Sequence, residues 1–167
     1  ASALAVSAAS VVGQALGAGK PVLARRAVRV SVWMYALGML LPYALIVIEG
    51  QAVARAFTRD AAIIDEAGRF FLLVPASNYF FNLLMVVMAA FYGSGHTRPV
   101  LVISLLRQWV FRVPIGLFLG FALGWGSVGV YWGLVIGNLV SAALAWWVFR
   151  TGEWARAVVH NDADARH

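Results

Sequence analysis

Asn78 and Asn82 stand four residues apart in an otherwise apolar stretch, and Pro75, Met85 and Ala89 continue their line along one helical face. The chemistry such amides offer is neutral hydrogen bonding. Left among hydrocarbon groups, their donors and acceptors would cost several kcal/mol, so the stripe must face other helices or a water-filled cavity. Two readings stay open, interhelical hydrogen bonds and the lining of a polar path. Tyr79 is adjacent in sequence but points off this stripe.

Arg107 and Arg112 are the charged groups set within an apolar run. A charge near the centre of a bilayer costs at least about 2.5 to 3.5 kcal/mol. The simpler expectation is that both snorkel to the headgroups, with Trp109 at the interface. The other places Arg112 on an inward-facing cavity, where it meets substrate or a carboxylate from outside this chain.

Other chemistry finds little support. GQALGAGKP (residues 13–21) has the glycines and lysine of a phosphate loop, but G-x-x-x-x-G-K-[ST] would need Gly at Gln14 and Ser or Thr at Pro21. His96, His160 and His167 are far from one another and from carboxylates at ligand spacing, so no metal site or histidine-based catalytic pair is expected. With no cysteine, thiolate sites and disulfides are excluded. No enzyme activity and no bound cofactor is expected. Every apolar run lacks Asp and Glu, with Glu49, Asp65 and Glu66 at run ends, so a coupling ion, H+ or Na+, would be held mainly outside this chain or by neutral oxygens.

These groups are positioned by elements built for a membrane. The 167 residues are 62% hydrophobic and 12% charged, with mean hydropathy +0.82. A soluble domain is about 45 to 50% apolar and about 25% charged. The net charge of +6 sits in short clusters between apolar runs, which opposes nucleic acid as a partner and points to the positive-inside bias of membrane proteins. A span needs about 20 apolar residues. Five stretches approach that length, at residues 1–16, 30–48, 70–93, 100–123 and 128–149. The expected fold is therefore all-α and polytopic, with a lipid bilayer as partner.

The first stretch has no charge and no initial methionine, so the chain is expected to be a fragment that starts inside a span. Lys20, Arg25, Arg26 and Arg29 should form a basic loop after it. Alternate loops place these with Arg98, Arg150 and Arg156 on one side, against Arg55, Arg59 and Arg69 mixed with Glu49, Asp60, Asp65 and Glu66 on the other. The basic side, with the C-terminus, is assigned to the cytoplasm of a cell membrane. Residues 151–167 form a polar tail.

Gly116, Gly120 and Gly124 recur every four residues, and so do Gly129, Gly133 and Gly137, whose face continues through Ser141 and Ala145. Little hydrophobic force drives helices together in lipid, so such small-residue stripes are expected to pack helices by close backbone approach.

Four ordered segments resemble the multidrug and toxic compound extrusion (MATE) transporters: VVGQALGAGKPVLARRA (residues 11–27), GSGHTRP (93–99), VGVYWG (128–133) and TGEW (151–154). The resemblance implies twelve helices in two six-helix lobes, this chain matching the C-terminal lobe without its first helix and part of its second. It further implies export of small organic, often cationic, compounds by alternating access, driven by an H+ or Na+ gradient, through a cavity between this lobe and an N-terminal one. Some members carry an acidic residue in the helix matching residues 70–93. Here Asn78, Tyr79 and Asn82 occupy that region, which agrees better with members whose critical carboxylate lies in the N-terminal lobe. A lipid-linked precursor flippase of the same superfamily, favoured only by Arg107 and Arg112, and a noncatalytic membrane scaffold remain as alternatives.

Overall fold

The computed structural model describes residues 2–155, the side chain of Gln51 excepted. Every regular element among them is helical: α1 (Ser2–Gly17), α2 (Pro21–Gly38), α3 (Leu40–Phe57), α4 (Ala61–Gly93), α5 (Thr97–Leu105), α6 (Val113–Leu117) and α7 (Gly126–Thr151). Two π-helical runs, Leu106–Arg112 and Phe118–Ala122, flank α6, so that α5, α6 and both runs make one rod. Four rods are long and apolar enough to cross a bilayer, Pro21–Gly50, Ala61–Gly93, Thr97–Ala122 and Gly126–Thr151, while Ser2–Gly17 is apolar but shorter. Of the expected tail, residues 156–167, with His160 and His167, lie outside the described part.

The GAGK turn after α1 is a helix stop with a defined hydrogen-bond pattern. Gly19 takes φ +68°, its N–H donates to the Leu16 carbonyl at 3.0 Å, and Lys20 N–H donates to the Ala15 carbonyl at 2.8 Å. That pair is the Schellman closure, which favours glycine because a β-carbon is strained at positive φ. Pro21 then starts α2 with its fixed φ. The expected basic loop is corrected here: only Lys20 lies in the turn, and Arg25, Arg26 and Arg29 ride on α2, whose Val-Leu-Ala-Arg-Arg-Ala run is compatible with helix immediately after the proline.

The stretch at residues 30–48 lies within one span, Pro21–Gly50, that is broken at Met39. α2 ends at Gly38, Met39 N–H turns back to the Leu37 and Tyr35 carbonyls, and α3 starts at Leu40. Pro42 supplies the cause, since it cannot donate to the carbonyl four residues earlier, which is that of Gly38.

α4 packs against α1, α2, α3 and α7 and is the centre of the bundle. Its 33 residues make a rod of about 50 Å against a hydrocarbon core of about 30 Å. The excess lies at its start, where Asp60 Oδ1 caps Ala62 N–H at 2.9 Å and Asp65 pairs with Arg69 at 2.7 Å. Toward the other end Val86, Val87, Met88, Ala89, Ala90 and Phe91 are all buried, because this part of the helix is enclosed on every side. Val12, Val28, Ala145 and Phe149 complete that core. Exposed Trp33, Leu37, Leu41 and Leu45 on α2 and α3 suit a lipid-facing surface.

The chain after α7 does not leave the bundle at once. Gly152 ends the helix at φ +78°, and residues Glu153–Ala155 form a 3-10 turn. Trp154, 2% exposed, donates its indole N–H to the Phe149 carbonyl at 2.8 Å. Its ring stacks on Phe149 at 5.1 Å, which in turn stacks on Trp146 at 5.2 Å. The expectation of a polar tail from residue 151 is thus corrected for Thr151 to Ala155.

Candidate transport-path site

The amide stripe meets the α2–α3 break. Asn82 Nδ2 donates to the Asn78 carbonyl of its own helix at 2.9 Å and to the Tyr43 hydroxyl at 3.4 Å. Tyr79 donates its hydroxyl to the Ala36 carbonyl at 2.7 Å, satisfying a carbonyl in the last turn of α2 where the break leaves acceptors without intrahelical donors. The Tyr79 ring lies 5.7 Å from that of Tyr35 and edge-on to Tyr43 at 5.3 Å. Tyr79 stands off the stripe by helical angle, as its position implies, yet Tyr43 joins it to Asn82 in one cluster. Tyr35 is 2% exposed, and its hydroxyl is buried without a hydrogen-bond partner.

Asn82 and Met85 also line a cleft of about 450 Å³ between α1 and α4, otherwise walled by Ser2, Ala5, Val6, Ala9, Phe81 and Tyr92. Asn78 is exposed. The stripe therefore divides, Asn82 engaged with α3 and Asn78 facing outward.

The arginines behave differently from each other. Arg107 does not snorkel: Nη1 donates to Asn138 Oδ1 at 3.4 Å, and its guanidinium carbon lies 4.8 Å over the Phe81 ring. Asn138, 5% exposed, is held in turn by Ser77, donating Nδ2 to its Oγ at 2.8 Å and to its carbonyl at 3.1 Å. Arg107 points inward because this amide and aromatic face offer an acceptor and a π surface in place of water. Arg112 reaches only Gln108 Oε1, at 3.5 Å, and no ion pair involves it among the described residues. Trp109 is 67% exposed on the outside.

Backbone proximity sets where Arg112 sits. A β-carbon on Gly137 would lie 3.0 Å from Arg112 Cα, and one on Gly133 would lie 3.1 Å from the Arg112 carbonyl. Gly129 faces Leu119 and Gly120, and Gly120 in turn lies 3.2 Å from the Gly126 carbonyl by the same measure. Gly116 meets nothing nearer than 3.8 Å, at Val130 Cα. Gly124 is corrected: a β-carbon added there would meet nothing within 4 Å, and the residue takes φ +69°, so it turns the chain between rods and packs nothing. The π runs fall around Pro114, whose missing N–H breaks the ordinary helix ladder, and Val113 N–H donates five residues back to Gln108.

Sequence reasoning missed Ser77, Asn138, Tyr35 and Tyr43. Asn138 had a signal, being the one side-chain amide in the last apolar stretch. Tyr43 had none, because the break that turns it toward α4 was read as continuous helix. A further pair, Tyr131 hydroxyl to Glu66 Oε1 at 3.0 Å, ties the start of α7 to α4 at the end opposite the GAGK turn.

Four apolar helical stretches of bilayer length, packed on an apolar core that holds a few buried polar groups, define a multi-pass membrane protein. The MatE family profile matches residues 1–118, and the chain belongs to that family, the MATE transporters. It is 36% identical over 138 residues to the probable multidrug resistance protein NorM of Pseudomonas aeruginosa, covering 80% of this chain and 28% of that protein. Protein DETOXIFICATION 41 of Arabidopsis thaliana is 31% identical over 129 residues, 77% of this chain and 25% of the relative. In fold the chain is similar to an inward-facing multidrug resistance MATE family transporter of the MOP superfamily, with TM-score 0.79 and 23% identity over 93% of this chain and 36% of the other. It is likewise similar to the eukaryotic MATE transporter AtDTX14, with TM-score 0.80 and 23% identity over 92% of this chain and 36% of that one. The chain thus spans about a quarter to a third of the length of these relatives.

The first two of the four segments singled out in the sequence meet in space. A β-carbon on Gly13, in the first motif, would lie 3.2 Å from the Gly93 carbonyl that opens the second, and one on Gly93 would meet the Ala9 carbonyl. The third motif supplies Gly129 and Gly133 against the preceding rod, and the fourth supplies the Gly152 stop and Trp154.

Proposed function

We propose that the protein carrying this chain exports small organic, often cationic, compounds across the cell membrane by alternating access, coupled to an H+ or Na+ gradient. The observation that carries this reading is the family match over residues 1–118. In it the chain supplies most of one lobe, an N-terminal lobe of the same polypeptide supplies the other, and substrate passes between them. Asn82, with Tyr43 and Tyr79, is the part of this lobe suited to meet a polar group, since it sits where α2 breaks and lines a cleft. No Asp or Glu joins that cluster, so the principal coupling carboxylate is assigned to the other lobe. Arg107 is engaged by Asn138 and Phe81, which removes much of the support for a cationic flippase cavity.

The test is ethidium efflux by the full-length protein in cells stripped of their own exporters. Efflux that stops when the H+ or Na+ gradient is collapsed is expected. Efflux unaffected by both gradients, or none in a correctly inserted protein, overturns the proposal. For orientation, the chain's lack of cysteine allows single cysteines at Lys20 and Ser127. Labelling of the first only from the cytoplasm and of the second only from outside is expected.

A further inference from the structure

Arg25, Arg26 and Arg29 all lie in the first half of α2, but they do not share one direction. Arg25 lies against the end of α7, where a β-carbon on Gly152 would meet its guanidinium, and the partly negative carbonyl end of a helix favours a cation there. Arg26, about 100° further round α2, lines a cleft of about 310 Å³ between α1 and α2 that also includes Val11, Leu23, Ala27 and Val30. Val11, Leu23 and Val30 are exposed. Among the described residues no ion pair involves Arg26 or Arg29.

A cation in a cleft that is otherwise apolar but for Ser7 and Ser31 needs an occupant with both characters. The apolar stretch of this helix begins at Val30, which places Arg26, four residues earlier, about 6 Å outside it along the helix axis. The headgroup layer on each side of a bilayer is about 5 to 7 Å thick. Arg26 thus falls in the headgroup layer, with Val30 at the edge of the acyl chains.

We propose that this cleft binds one anionic phospholipid, its phosphate on the Arg26 guanidinium beside Leu23 and an acyl chain running inward along Val11 and Val30. A guanidinium matches phosphate oxygens in a two-pronged geometry, and Arg29, three residues on, adds positive field. The small Ala27 leaves the wall shallow enough for a chain to lie in it. A zwitterionic lipid brings an ammonium that the arginines repel, so the site selects net negative headgroups.

The experiment is native mass spectrometry of the full-length protein in mild detergent, mixed with phosphatidylglycerol or phosphatidylcholine. Wild type is expected to retain phosphatidylglycerol about fivefold better, as about 1 kcal/mol per arginine at the surface implies. Arg26→Gln should bring the two lipids near parity, and Arg26→Lys should restore part of the preference. Leu23→Trp, which fills the cleft, should lower retention of both. Arg98→Gln removes a cation at the start of α5, outside the cleft, and should change nothing. Equal retention of the two lipids by wild type overturns the proposal. So does displacement of the lipid by millimolar inorganic phosphate, which marks a bare anion site, or cross-linking of the cleft to another segment of the polypeptide. If Arg26→Gln fails to fold, the wild-type preference and the Leu23→Trp loss decide. Binding is read without a gradient, so it stands or falls apart from transport.

Discussion

Gly133 and Gly116 meet backbone to backbone, a β-carbon on Gly133 falling 2.5 Å from Gly116 Cα and 2.6 Å from Gly116 N. The relation is one-sided. A β-carbon on Gly116 would meet nothing nearer than 3.8 Å, which is ordinary contact. Gly133→Ala is therefore expected to cost about 1 to 3 kcal/mol through overpacking, whereas Gly116→Ala should be neutral or slightly stabilising through its gain in helix propensity. Thermal melting in detergent separates them. Equal melting of the two variants would show that the rods do not touch here.

Asn138 joins three elements through Ser77 and Arg107. Asn138→Leu leaves the Arg107 guanidinium without its amide acceptor in the bundle, and Asn138→Ala adds a cavity. Interhelical hydrogen bonds in membranes contribute about 1 to 2 kcal/mol at most, so Ser77→Ala should lower stability less than either change at Asn138. A double-mutant cycle between Ser77 and Asn138 is expected to show positive coupling. Additive losses would mean that the 2.8 Å contact contributes nothing in the membrane.

The helices were legible because apolar runs of bilayer length leave few alternatives, whereas the turn at Gly124 was hidden, its glycine continuing the four-residue spacing of Gly116 and Gly120 although the chain takes positive φ there. The cluster around Asn82 was only half legible. Helical angle placed Asn78, Asn82 and Met85 on one face, but it cannot say that Pro42 breaks the preceding helix at Gly38 and swings Tyr43 onto that face. Arg107 was misread for a similar reason, since snorkelling is the cheaper outcome only when no buried partner exists, and Asn138 lies 31 residues away in sequence. Trp154 sits in a segment whose composition is polar, and its burial follows from a stop at Gly152 that folds the chain back.

Asn82 offers a test that distinguishes a path-lining role from a structural one. Asn82→Leu removes its bonds to Tyr43 and to the Asn78 carbonyl, while Tyr79→Phe removes one bond, to Ala36. The second change should cost about 0.5 to 1.5 kcal/mol and lower efflux only in step with stability. Asn82→Leu should lower efflux several-fold beyond the loss of folded protein, since it takes away the amide that faces the cleft. Efflux that tracks melting for both variants would reduce Asn82 to a helix-packing group.

Trp154 shows how far the described chain end is part of the bundle. Its ring is buried on Phe149, and its N–H is satisfied by the Phe149 carbonyl at 2.8 Å, so truncation removes both apolar area and a hydrogen bond. Trp154→Ala is expected to destabilise the protein by about 3 to 5 kcal/mol. Trp154→Phe keeps most of the stacking and should cost nearer about 1 kcal/mol, the net worth of the lost bond. Gly152→Ala should fall between the two, at about 1 to 2 kcal/mol, because a β-carbon there is strained at φ +78° while the Arg25 guanidinium that it meets can swing aside. Melting curves with limited proteolysis after Thr151 check the order. Wild-type stability in Trp154→Ala would mean that this turn rests on the bundle without holding it, and that α7 ends the folded unit at Thr151.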